Sequence, residues 1–249
     1  MEPRDIIYRY DGSLTGFYCC VHASIYGHEL PWDIQPDTEP QISLLQSKTI
    51  PTNLTQAAKV RKAIHDKISQ PALELCEHVF LSCLVRKEIA ILQFLVAGFE
   101  TGAGIMSRLT DPAIDPLLRA ERHLLGEAHL LTGFIRFKDH DSKLMATITP
   151  KNFVLPLLIP HFTDRYAMET FLIHDKTHQA ALVYANRRAE LAWLDGELPN
   201  GISETEQYHQ DLWRQFYQTI GIKERNNPRC RMTHMPKRYW ENMIELQLR

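Results

Sequence analysis

The sequence predicts an α+β protein, mostly helical with a small, mainly antiparallel sheet, and three observations carry that prediction. Long stretches repeat apolar residues at helical spacing, short β-branched and aromatic runs alternate around polar turns, and no internal repeat or low-complexity tract interrupts them. With 249 residues, 44% of them hydrophobic, the chain has enough apolar surface to bury a core without covalent staples. It reads as one domain over residues 1–249, with a Pro-rich surface connection near residues 31–51.

Taken in order, residues 5–10 read as a short strand, Asp11-Gly12-Ser13 as a turn, and residues 14–26 as a helix that Ser13 can cap. Pro31, Pro36, Pro40 and Pro51 punctuate the next stretch, which has little periodicity. Asn53 then caps a helix whose Val60, Ile64 and Ile68 share one stripe, with Arg61, Lys62 and Lys67 off it. Residues 71–102 support two further helices, the second strongly apolar.

In residues 115–131, Leu117, Ala120, Leu124, Ala128 and Leu131 form one face of an amphipathic helix. Arg119, Arg122, Gly126 and His129 share a second stripe. A glycine inside a helix costs about 1 kcal/mol relative to alanine, so close packing is expected at Gly126. Residues 132–138 and 143–149 alternate as strands around Asp139-His140-Asp141-Ser142, which predicts a β-hairpin. A helix follows over residues 154–167, its start limited by Pro156 and Pro160. A second hairpin joins residues 170–174 to 179–185, with a strand around residues 191–194. Ser203-Glu204-Thr205-Glu206 fits a capping box for a helix carrying Leu212, Trp213, Phe216, Tyr217 and Ile220, which Gly221 can end.

Composition narrows the function classes. The 28 basic and 30 acidic side chains give a formal net charge of −2, so any nucleic-acid surface must be local. Five cysteines without a C-x-x-C pair argue against a disulfide framework or zinc ribbon and fit a reducing cytoplasm. The opening Met1-Glu2-Pro3-Arg4-Asp5 lacks the apolar run of a secretory signal. The most apolar window, residues 89–99, is shorter than the ~20 residues a bilayer requires. A cytoplasmic protein without membrane attachment is expected. No Gly-rich phosphate loop, G-x-S-x-G elbow, H-E-x-x-H pair or three-cysteine cluster is present, so no cofactor or metal is implied.

The segment closest to a functional pattern is the tail. Lys223, Arg225, Arg229, Arg231, Lys237 and Arg238 have Glu224 as their only acid before Glu241, and Tyr239-Trp240 follow directly. Such cations can neutralise phosphates, and the aromatics can stack on exposed bases at ~1–3 kcal/mol each. The bland alternative is a solvated face with Tyr239 and Trp240 anchoring the terminus. Arg119, Arg122 and His129, with Arg136 and Lys138, extend the positive surface or else pair with acids such as Glu121 and Glu127. His123 and Glu127 can form an acid–base pair or a helix-surface contact. His174-x-x-x-His178 falls in a hairpin turn and suits a metal poorly.

Three segments carry a resemblance: Tyr10-Asp11-Gly12-Ser13-Leu14-Thr15-Gly16-Phe17; residues 127–137 with Gly133-Phe134-Ile135-Arg136-Phe137; and Asn227-Pro228-Arg229 followed by His234-Met235-Pro236-Lys237-Arg238-Tyr239-Trp240. Together they resemble the bacterial "probable DNA metabolism protein" family over almost the whole chain. Its members are encoded beside a radical-SAM protein of DNA modification or repair and also occur fused to uracil-DNA glycosylase-like domains. The resemblance implies a DNA-repair or DNA-modification setting and a partner carrying iron–sulfur chemistry, and it makes Arg136, Lys237, Arg238, Tyr239 and Trp240 candidates for a functional surface.

Three functions follow as expectations. The first is a DNA-binding accessory protein working with a radical-SAM or glycosylase partner. The second is an enzyme acting on nucleic acid or modified nucleotides, with His123, Glu127 and His129 in a pocket. The third is an interaction scaffold using Trp213, Phe216, Tyr217 and Trp240.

Overall fold

The computed structural model describes residues 2–37, 44–108, 111–194, 204–220 and 227–247. The chain is α+β, 55% helical and 21% strand, and divides into two compact units, Met1–Leu124 and Leu125–Arg249.

Unit 1 begins with β1 (Glu2–Tyr10), α1 (Leu14–Gly27) and β2 (Glu29–Pro36), then β3 (Gln46–Thr49). Parallel strands cannot be joined by a tight turn, so α1 carries the chain back from β1 to β2. Ser13 starts that helix by accepting the Gly16 N–H at 2.9 Å. The sheet order is β2-β1-β3, wholly parallel. Strands β2 and β3 thus occupy the two ends of the stretch read from sequence as a Pro-rich surface connection. Pro31 and Pro36 are tolerated because β2 lies at a sheet edge, where a missing N–H need not break a ladder.

Helices α2 (Leu54–Lys67), α3 (Gln70–Leu81) and α4 (Lys87–Thr101) follow. Asn53 and Ser69 cap the first two by accepting the N–H groups of Gln56 and Ala72. Helix α4 and the 3₁₀ turn after it, Lys87–Ser107, have the length and composition of a membrane span, 21 residues at mean hydropathy 1.6. Here they serve the core: Ile91, Leu92, Phe94 and Leu95 are fully buried with Tyr8, Phe17 and Ile64. Within that core the Tyr10 hydroxyl donates to Glu88 at 2.9 Å, and burial raises the Glu88 carboxyl above its ordinary value.

Helix α5 (Asp115–Phe134) contributes residues to both units. Leu117, Ala120, Leu124, Ala128 and Leu131 are all buried, as the periodicity predicts. The opposite stripe differs from expectation. A Cβ on Gly126 would meet nothing within 4 Å, so no described residue packs closely there. The helix also runs on through Phe134, where a strand was expected, and the Ile135 N–H still donates to the Leu131 carbonyl at 3.1 Å.

Unit 2 continues with β4 (Lys138–His140), β5 (Lys143–Ile148), α6 (Leu155–Arg165), β6 (Phe171–Asp175), β7 (Ala180–Ala185), β8 (Arg188–Trp193), α7 (Glu204–Ile220) and α8 (Pro228–His234). The sheet order is β4-β5-β6-β7-β8; β5 and β6 are parallel and the other neighbours antiparallel. The expected mainly antiparallel sheet is therefore corrected: one sheet is all parallel and the other mixed. The physical reason lies in the connections. Helices α1 and α6 are crossovers that return the chain in the same direction, whereas two-residue turns at Asp141-Ser142 and Asn186-Arg187, all at positive φ, reverse it.

Candidate functional site

The tail is tied to α5 by one carboxylate. Glu127, 2% exposed, accepts the backbone N–H groups of Lys151 at 3.1 Å and Asn152 at 2.8 Å, the Asn152 side-chain amide at 2.6 Å and the Tyr239 hydroxyl at 2.9 Å. The Arg238 guanidinium completes the set at 3.0 Å. Burial is the largest single influence and raises the carboxyl, but the amide, hydroxyl and side-chain donors together leave it below its ordinary value of 4.5. Tyr239 is buried against Phe134 with ring centroids 5.5 Å apart, and burial pushes its hydroxyl up to about 12.

Two expected nucleic-acid contacts, Arg238 and Tyr239, are thus engaged inside the unit. Trp240 is half-buried and donates its indole N–H to the Met235 carbonyl at 2.9 Å. Lys237 remains exposed, its ammonium 6.0 Å from the Trp240 ring centre. On α8, Arg229 is exposed and Arg231 half-buried. Lys223, Arg225, Ser203 and Gly221 lie outside the described residues.

Arg136 is also committed. It pairs with Glu245 at 2.6 Å, a side chain only 2% exposed, donates to the Gly133 and Ile135 carbonyls, and lies 5.6 Å from the Trp213 ring centre. Glu245 accepts the Trp213 indole N–H at 3.2 Å as well. This Arg136–Glu245–Trp213 triangle fixes the indole at the wall of a cavity of about 600 Å³. Phe137, Phe162 and Tyr166 also line it, Phe137 lying edge-on to the other two at 5.6 and 5.1 Å. Arg165, Glu206, His209 and Gln210 supply its polar groups. Glu206 is buried and accepts the Asp139 N–H at 3.0 Å and the Gln210 amide at 2.8 Å. The Arg165 guanidinium sits 5.8 Å from the Tyr166 ring centre.

Arg119 is exposed and paired with Asp115 at 2.7 Å, and Arg122 and His129 are exposed along α5. Arg119 and Arg122 belong to unit 1 and His129 to unit 2. His123 lies 4.0 Å from Cys83 Sγ. His178 donates or accepts at 2.6 Å with the buried Asp175, while His174 is buried in β6. Among the described residues no group of three His, Cys, Asp or Glu side chains can hold a metal. Sequence reasoning reached Trp213 and Arg136 but missed Phe137, Phe162, Arg165, Tyr166 and Glu206, which converge only once α6 has crossed from β5 to β6.

Fold and site together define an α+β protein whose second unit carries an aromatic-walled cavity beside a βαβ crossover. Residues 85–245 match the domain of unknown function DUF4130, well over half of the chain, and the protein belongs to that family. No curated protein matches the chain.

Proposed function

We propose that the protein is a DNA-binding accessory factor of DNA repair or modification, acting with a radical-SAM or glycosylase partner. The observation that carries the proposal is the surface left over once the structural cations are set aside. Arg238 and Arg136 are tied to buried carboxylates, whereas Arg229 and Lys237 are exposed on a segment whose aromatic Trp240 is held in place. Exposed cations beside a fixed ring suit the phosphates and bases of a single strand. The resemblance of residues 127–137 and of the tail to the DNA-metabolism family supports the setting and the class of partner.

The test is binding of a fluorescent single-stranded oligonucleotide by the full chain across a salt series. An Arg229→Ala/Lys237→Ala variant is expected to bind more weakly with a shallower salt dependence while melting normally. Equal affinity and slope in variant and parent would remove the proposal's physical basis. Arg238→Ala, by contrast, is expected to act through stability, because it strips the buried Glu127 of its counter-charge.

The partner half of the reading is supported by α7, which is turned so that Glu206 and Gln210 face inward while Leu212, Phe216 and Ile220 are exposed. A helix that buries a carboxylate and an amide and shows apolar side chains to solvent fits a surface completed by another protein. Ile220→Asp is expected to leave oligonucleotide affinity unchanged and to abolish binding of a purified radical-SAM partner.

A further inference from the structure

We infer that the unit 2 cavity receives an unstacked nucleobase. This rests on the DNA-binding reading for its setting but not for its geometry. The cavity's size, about 600 Å³, falls within the range of small-molecule sites. Its walls are flat: Trp213 on α7, Phe137 before β4, and Phe162 and Tyr166 at the end of α6. Every base has a π-face that such rings can stack against.

The polar lining matches a base edge, which offers donors and acceptors in one plane. Buried Glu206 supplies an acceptor. Its carboxylate takes N–H groups from Asp139 and Gln210, which fixes its oxygens at the lining. His209 adds a ring nitrogen at the rim. Arg165, packed on Tyr166, makes no ion pair with a described residue and is the cation available to the phosphate attached to that base.

Two features show that the indole is braced rather than incidental. Arg136 lies against the Trp213 ring, and Glu245 takes its N–H while its own charge is matched by Arg136. A stacking ring held from behind loses little freedom when a ligand arrives. Arg136 is thereby a positioning residue for Trp213 and not a phosphate ligand.

The base can come from a free mononucleotide or from a strand of DNA, and the experiment separates the two. Affinities of the full chain are measured for a short single-stranded oligonucleotide, for the same oligonucleotide with an abasic centre, and for deoxynucleoside monophosphates. The intact strand is expected to bind about 5- to 150-fold more tightly than the abasic one, the range of one stacked base. That difference should vanish in Trp213→Ala, persist in Trp213→Phe, and leave the salt dependence unaltered. Arg165→Ala, an exposed change, should weaken both strands.

Salt-dependent binding that is equal for intact and abasic strands, and insensitive to Trp213, would overturn the pocket while leaving the DNA-binding proposal standing. Binding of monophosphates with the Trp213 dependence, but no binding of strands, would keep the pocket and overturn the DNA-binding proposal. Binding of neither would overturn both.

Discussion

At the scale of single residues, Glu127 carries the clearest consequences. Five donors surround a carboxylate whose titration burial alone would push up. Removing one member of a buried pair leaves the other uncompensated, so Glu127→Ala is expected to cost about 3–5 kcal/mol in urea unfolding. The folded carboxyl titrates below its ordinary value, so its stabilisation is fully present above about pH 4.5 and is lost as pH falls through the lowered folded value. Glu245, which burial raises but which Arg136, a backbone N–H and the Trp213 indole together leave lowered, adds to the same acid-side loss. Unfolding midpoints followed from neutral pH to about pH 3 should show this decline, and Glu127→Gln should flatten it. The sequence marked Glu127 as one side of a possible pair with His123, as an acid within reach of Arg119 and Arg122, and as the start of the 127–137 run. Its actual partners lie 24 to 112 residues away, and no local spacing reveals them. The close packing at Gly16 was not read from the sequence. It sits within the quoted Tyr10–Phe17 run, and a Cβ there would overlap the Asp11 carboxylate that accepts the Ser13 and Thr52 hydroxyls.

At the scale of elements, helices were read well because their signal is periodic and local. The α5 stripe, the Asn53 and Ser13 caps and the α6 boundaries needed nothing beyond neighbouring residues. Strand direction was not legible in the same way, since β1 and β2 become parallel only through the return of α1, and β5 and β6 only through α6. The Pro-rich spelling of β2 concealed it further, because proline is excluded from central strands but not from an edge. Gly126 shows a local inference failing for a physical reason: its helix face is open to solvent, so its helix-propensity cost has no packing in return. Gly126→Ala is accordingly expected to stabilise the protein by about 1 kcal/mol, raising the melting temperature by roughly 2–4 °C in a scanning calorimeter.

At the scale of the whole molecule, a formal charge of −2 rules out attraction of polyanions by bulk charge, so affinity must come from a few placed cations. Engagement of Arg229, Lys237 and Arg165 corresponds to a salt slope of about −2 on a single strand. A much steeper slope would mean that cations beyond these three take part. Arg119 and Arg122 fall in unit 1 and the tail in unit 2, so a continuous basic track was a statement about distant parts of the chain that periodicity cannot make. The cavity was illegible for the same cause, its walls coming from segments spread between residues 132 and 244.

The bonds from Glu127 to Tyr239 and from Arg136 to Glu245 also impose an order on synthesis. They span 112 and 109 residues, so α5 leaves the ribosome long before either charged side chain can meet its mate. The described strands and core helices of Met1–Leu124 are all synthesised by that moment, and that unit is expected to fold while translation proceeds. The second unit cannot close until residues 236–245 emerge, and until then it presents an unmatched carboxylate and an unbraced indole. A nascent chain arrested in that interval is therefore half finished, and it is the form on which chaperones and proteases would act.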